Sequence, residues 1–161
     1  MAALDAKFVS RNDALEFAAH TRKNLEYIES AYSAGEDVHV VTQVINSLLG
    51  LVVFLHEREL LHKAAEVRLS DLEGAGWPHV EITKGENECS TLEQLFYHLR
   101  NSVAHSRIKF SSDSRDSHEV MIEFEDWKNK AKESYVCFEI DARALRDFCL
   151  KLMRMVEQEI G

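Results

Sequence analysis

The stretch from Asp37 to about Lys63 constrains the fold of this chain more than any other. Val41, Val44, Ile45, Leu48, Leu49, Val52, Phe54 and Leu55 recur at helical spacing and cover much of the circumference of the helix they predict. A helix that is apolar nearly all round has to be surrounded, either by lipid or by other parts of its own protein. Its longest apolar run, Leu48 to Leu55, falls well short of the approximately 20 residues needed to cross a bilayer. We therefore expect the central helix of a bundle, with Gly50 allowing a neighbouring backbone to come close, inside the protomer or across a dimer.

Three further helices are legible around it. Ser10 or Asn12 can cap a helix from near Asp13 to Ala34-Gly35, with Ala14, Ala18, Leu25, Ile28 and Tyr32 on one stripe. Ser90-Thr91-Leu92-Glu93 has the form of a capping box and opens a helix whose Leu92, Leu95, Phe96, Leu99 and Val103 face a core. Asp141 caps a last helix carrying Leu145, Phe148, Cys149, Leu152 and Val156. Between these two the period changes from helical to alternating, in Arg107–Phe110, Glu119–Phe124 and Tyr135–Ile140, and predicts three short strands. Ser111 to Ser117 and Asp126 to Glu133 are polar enough for hairpin loops. Ala64 to Ser90 is expected to be irregular, with a turn at Gly74-Ala75-Gly76-Trp77-Pro78 and Trp77 covering an end of the bundle. The expected fold is mainly α: one domain over residues 1–161, with four main helices and a small antiparallel β insertion between the third and the fourth.

Composition narrows the function. A chain of 161 residues buries roughly 70% of its unfolded surface, sufficient for one core. Its three cysteines, Cys89, Cys137 and Cys149, show no C-x-x-C spacing, which favours free thiols in a reducing cytoplasm over disulfides or a thiolate metal site. The opening M-A-A-L-D-A-K-F lacks a basic end followed by an apolar run, so no secretory signal is expected. A net charge of −9 argues against broad duplex binding, which depends on many cationic contacts to phosphates. It is compatible with a small RNA cleft or with a basic protein partner.

Against this acidic background, Tyr97 to Phe110, Y-H-L-R-N-S-V-A-H-S-R-I-K-F, holds His98, Arg100, His105, Arg107 and Lys109 with no Asp or Glu. A local positive excess in an acidic chain attracts a phosphate there and repels it elsewhere. Two other patterns carry less. His56-Glu57-Arg58-Glu59-Leu60-Leu61-His62 has its histidines six apart, about 240° around a helix, so they cannot clasp one zinc ion. Gly74-Ala75-Gly76 lacks the strand and third glycine of a nucleotide fingerprint. We expect neither metal nor cofactor.

Arg100-Asn101-Ser102-Val103-Ala104-His105 resembles the signature of the HEPN superfamily (higher eukaryotes and prokaryotes nucleotide-binding). Asn46 to Leu55, N-S-L-L-G-L-V-V-F-L, is similar to a helix of one prokaryotic, nuclease-like branch, with Leu55-His56 after Phe54 where a helix-bending proline would be expected. The resemblance implies a metal-independent endoribonuclease of a conflict, toxin–antitoxin or phage-defence system, with RNA as substrate and Arg100 and His105 as catalytic pair in a homodimer. An antitoxin or another protein is the further partner it implies. The alternative is a non-catalytic module that binds a nucleotide, RNA or protein.

Residue chemistry fits the first reading. Histidine suits proton transfer near neutral pH and arginine offers a planar fork to phosphate oxygens. Asn101 would orient His105 one turn away or hold the backbone at a bend. On a straight helix Arg100 and His105 lie about 140° apart, so they converge only if the helix frays after Asn101 or a second copy supplies one of them. Plainer readings stand beside these: a C-terminal His105 stabilised by the helix dipole, a solvent-facing His98 as against one that contacts substrate, and Arg107 and Lys109 as solvated strand charges as against guides for RNA.

Overall fold

The computed structural model describes residues 11–57, 61–129, 131 and 135–160. Helix α1 (Arg11–Ser33) leads into the apolar α2 (Val40–Glu57), which packs against α1, α4 (Ala142–Ile160) and α3 (Leu92–Ala104). Val44, Leu48, Leu51, Val52 and Leu55 of α2 are buried, as its composition requires, while Leu49 is half-buried. The ring of Phe17 lies across Gly50, 3.3 Å from where a Cβ would stand, and stacks on Phe54 at 4.8 Å. The close approach at Gly50 is thus made by a side chain of α1, not by a backbone.

Helix α2 starts later than expected and is described to Glu57; residues 58–60 lie outside the described residues, and His62–Glu66 is a 3-10 turn. Ser10, one of the two caps expected for α1, also lies outside them. The α1 stripe is buried at Ala14, Ala18 and Leu25 but has run out by Tyr32, which is exposed.

The sheet departs from expectation. Strands β2 (Ile108–Phe110), β3 (Met121–Asp126) and β4 (Val136–Asp141) follow α3, but a fourth, β1 (Glu81–Lys84), precedes it and pairs with β4, giving the antiparallel order β1-β4-β3-β2. The sheet is therefore assembled from both sides of α3 rather than inserted after it. Four residues are too few to display a period of two, and only Ile82 of β1 turns toward the core, so the segment read as irregular. Residues 130, 132 and 133 of the Asp126 to Glu133 loop lie outside the described residues, and Asp126 itself closes β3.

One face of the sheet carries Ile122, Phe124, Val136, Phe138 and Ile140, all buried, with Phe124 and Phe138 directly opposite one another and stacked at 5.0 Å. Helix α3 lies against β3, and Trp77 seals the junction of the helices, 5.9 Å from Phe96 and 5.4 Å from Phe148. Each such side chain, fully buried, stabilises by roughly 1.5–3 kcal/mol. The final helix forms as its sequence predicts, with Asp141 Oδ1 accepting from the Ala144 N–H at 2.8 Å and Leu145, Phe148, Cys149, Leu152 and Val156 all buried.

Gly85 turns the chain out of β1 at φ 80°, and a Cβ there would run into the Tyr135 carbonyl oxygen and the Val136 backbone beside β4. Gly85→Ala combines a left-handed backbone with a steric clash and should cost roughly 2–4 kcal/mol. Urea denaturation measures this, and a loss under about 0.5 kcal/mol would contradict the described packing of β1 on β4.

Candidate functional site

Helix α3 is held at both ends by specific local chemistry. At its start Thr91, not Ser90, is the N-cap: Thr91 Oγ1 accepts from the Gln94 N–H at 3.3 Å, and Gln94 Oε1 accepts from the N–H groups of Thr91 and Ser90. The box is displaced by one residue from the expected Ser90/Glu93 pair because Gln94 can play the role assigned to Glu93. At its end His105 is the C-cap. The Ser106 N–H bonds Val103 O at 3.0 Å and the Arg107 N–H bonds Ser102 O at 2.8 Å, with Ser106 left-handed at φ 55°. This is the Schellman closure, normally built on glycine. It ends the helix at Ala104 and reverses the chain into β2.

The helix therefore does not fray after Asn101, and Arg100 and His105 stay on different sides of its axis. His105 is exposed and lines a cleft of about 480 Å³ together with Glu88, Gln94, Tyr97, His98, Asn101, Asp126, Trp127 and Lys128; Arg100, half-buried, does not line it.

The floor of the cleft is the Asp126 carboxylate, delivered by the last residue of β3. Its Oδ2 accepts from His98 Nδ1 at 2.9 Å and from Asn101 Nδ2 at 3.0 Å, and its Oδ1 lies 3.5 Å from Arg107 Nη1. Since an ionised carboxylate only accepts, the His98 nitrogen facing it, Nδ1, is the donor, while Nε2 lies 3.4 Å from Glu88 O. Burial by itself raises the Asp126 pKa, but the hydrogen bonds from His98 and Asn101, with the nearby charges, outweigh it and hold the carboxyl below its ordinary range. Two expectations change here. His98 is buried, not solvent-facing, and Asn101 directs its amide to Asp126, not to His105. Neither could be foreseen from the helix wheel, because the partner arrives from a strand far along the chain.

The apparent positive excess of Tyr97 to Phe110 is also largely compensated. Arg107 Nη1 donates to Trp127 O at 2.9 Å, and its guanidinium stacks 3.9 Å from the centre of the Trp127 ring. Lys109 faces Glu123 across the β2–β3 ladder and bonds both Glu123, at 2.6 Å, and Glu125, which raise the pKa of its ammonium. Arg107 is thus a largely covered, paired charge, whereas Lys109 is paired but remains exposed to solvent. Glu123 and Glu125, with Cys137, also have the donor types of a metal site, but Lys109 already bridges the two carboxylates. The other two thiols are inert by burial: it pushes Cys89 up to about 12 and raises Cys149 further.

Sequence reasoning missed Asp126, Tyr97 and Trp127. Asp126 carried no local signal. Tyr97 did, being a large aromatic ring off the apolar stripe of α3, and it is indeed exposed. No helix among the described residues is long and apolar enough to cross a membrane.

A family model described as HEPN pEK499 p136 matches residues 5–160. No curated protein and no solved structure matches the chain.

Because the folded Asp126 pKa is depressed, its contribution to stability is complete above the unfolded value of about 4 and is lost as pH falls through the folded value. Asp126→Ala should cost roughly 3–5 kcal/mol near neutral pH by stranding His98, Asn101 and Arg107. Urea denaturation at a series of pH values should show Asp126→Asn with a flatter acid limb than wild type. An unchanged limb would mean that this carboxylate does not hold the end of α3.

Proposed function

The chain belongs to the HEPN pEK499 p136 family, and on that premise we propose that it is a metal-independent endoribonuclease acting as a homodimer in a conflict, toxin–antitoxin or phage-defence system. The observation that carries this reading is the placement of His105: exposed at the cap of a rigid helix, beside a cleft of the size of one nucleotide. In the proposed reaction the 2′-hydroxyl of a bound RNA attacks the adjacent phosphorus, the bond to the 5′-oxygen breaks, and a 2′,3′-cyclic phosphate and a 5′-hydroxyl are left. His105 moves the proton, and Arg100 holds the non-bridging oxygens as charge builds on them.

Because α3 is intact to Ala104, the Arg100 that meets a given His105 comes from a second copy of the helix related by a two-fold axis. Asn101 supports the site indirectly, by fixing Asp126 and with it the end of α3. Arg107 keeps that end in place, and His98 forms part of the cleft wall where a substrate would pass. The second reading, a non-catalytic module for a nucleotide, RNA or protein, draws on the pairing of Arg107 and Lys109 with β3 carboxylates, which leaves few cations for phosphate at the cleft among the described residues.

Cleavage of total RNA by the purified protein in EDTA tests the proposal. His105→Ala should lower the rate by about 10²- to 10⁴-fold with an unchanged melting temperature, since the side chain is exposed. Arg100→Ala should reduce both binding and rate. A wild-type protein that cleaves no RNA in EDTA, or a His105→Ala variant as active as wild type, would replace the nuclease by the binding module.

A further inference from the structure

The cleft beside His105 contains a feature that phosphate chemistry does not use. Tyr97 lies on α3 one turn before Asn101 and lines the cleft, yet its side chain is far from buried, at 45% exposure. Exposing a large aromatic ring forgoes burial of apolar surface, and nothing in the packing of α3 requires it, since Leu92, Leu95, Phe96 and Leu99 already fill the core side. Its neighbour His98, whose ring stands edge-on at 5.3 Å, is anchored to Asp126. The Tyr97 ring therefore rests against an immobile wall. Trp127, which also lines the cleft, has Arg107 stacked on it and Tyr135 against it at 6.1 Å.

The polar groups around these rings suit a base edge better than a polyanion. Asn101 has its amide nitrogen on Asp126, so its carbonyl oxygen remains as an acceptor. Gln94 has its Oε1 in the capping box, so its amide nitrogen remains as a donor. Among the described residues the one Lys or Arg lining the cleft is Lys128, beside the His98 and His105 rings and set against Glu88 and the compensated Asp126. A site of this composition gains little from counterion release and much from stacking.

We infer that the cleft is a base-stacking subsite for one unpaired nucleotide of single-stranded RNA, with Tyr97 as the platform and Asn101 and Gln94 at the base edge. It places a base next to His105 and so decides which phosphate is presented. The inference rests on the reading of the chain as an RNA-acting protein, and its test is kept separate from catalysis.

The experiment uses a short single-stranded 2′-O-methyl RNA, which cannot be cleaved by 2′-hydroxyl attack, and the same backbone without bases. Binding is followed by fluorescence anisotropy and by tryptophan quenching. The chain has two tryptophans, and Trp77 is buried, so quenching reports on Trp127. Wild type should prefer the base-bearing oligomer by about tenfold, with a shallow salt dependence. Tyr97→Ala should lose that preference at an unchanged melting temperature, and Tyr97→Phe should keep it. Equal affinity of wild type for the two oligomers, no binding at all, or full retention of the preference by Tyr97→Ala would overturn the inference. RNA cleavage by wild type with no effect of Tyr97→Ala on the base preference would sink the subsite alone. Base-selective binding through Tyr97 without any cleavage would uphold the subsite and sink the nuclease.

Discussion

The buried carboxylate of Asp126 is the interaction on which the motif end of this structure depends. Three groups from two elements converge on it: His98 and Asn101, from successive turns of α3, and Arg107, from the turn into β2. Alone, a carboxylate at this depth would be costly; with two direct hydrogen bonds and a nearby guanidinium its charge becomes the cheaper state, and its depressed pKa reports that balance. The same contacts fix the azimuth of α3 against the sheet. Packing of Leu95 and Leu99 alone would tolerate a small rotation about the helix axis, whereas a shared hydrogen-bond acceptor would not.

A helix held in this way can carry an unusual terminus. Ser106 takes a left-handed conformation that glycine would adopt at less cost, of order 1 kcal/mol. The closure survives because Arg107, immediately after it, is tied to Asp126 and Trp127, so that the turn is determined from both sides. The consequence is positional. His105 is exposed without being loose, and its direction is set by a helix cap rather than by a loop.

The helical part of the fold was legible because its signals are local. The all-round apolarity of α2, the Asp141 cap and the α4 stripe each specify one element, and the structure contains them. What was illegible depended on residues far apart in the chain. Strand β1 is too short to show its period and exists through its pairing with β4. The charge of Tyr97 to Phe110 looked unopposed because its counter-charges, Glu123, Glu125 and Asp126, lie on the next strand and reach it only after the hairpin closes. His98 was misplaced for the same reason: a helix wheel sorts residues by their own polarity and cannot anticipate a buried acid that makes a polar position part of the core. Arg100, Asn101 and His105 could be singled out from sequence, but the separation of Arg100 from the His105 cleft required the intact helix end to be seen.

The pairing of the cations also gives the molecule a direction. On the face of the sheet away from the core, Glu81, Glu139 and Glu123 stand opposite one another across three strands, with Lys109 at the end of the row. Like charges in direct cross-strand register are destabilising, so this row is not what sheet stability would select. In an acidic protein it concentrates negative potential on the outer side of the sheet, where a phosphate chain is repelled over about a Debye length. Asp126, Trp127 and α3 lie on the opposite side, where the carboxylate is compensated and aromatic rings replace charge. A polyanion is thus disfavoured over the sheet, and least opposed at the end of α3.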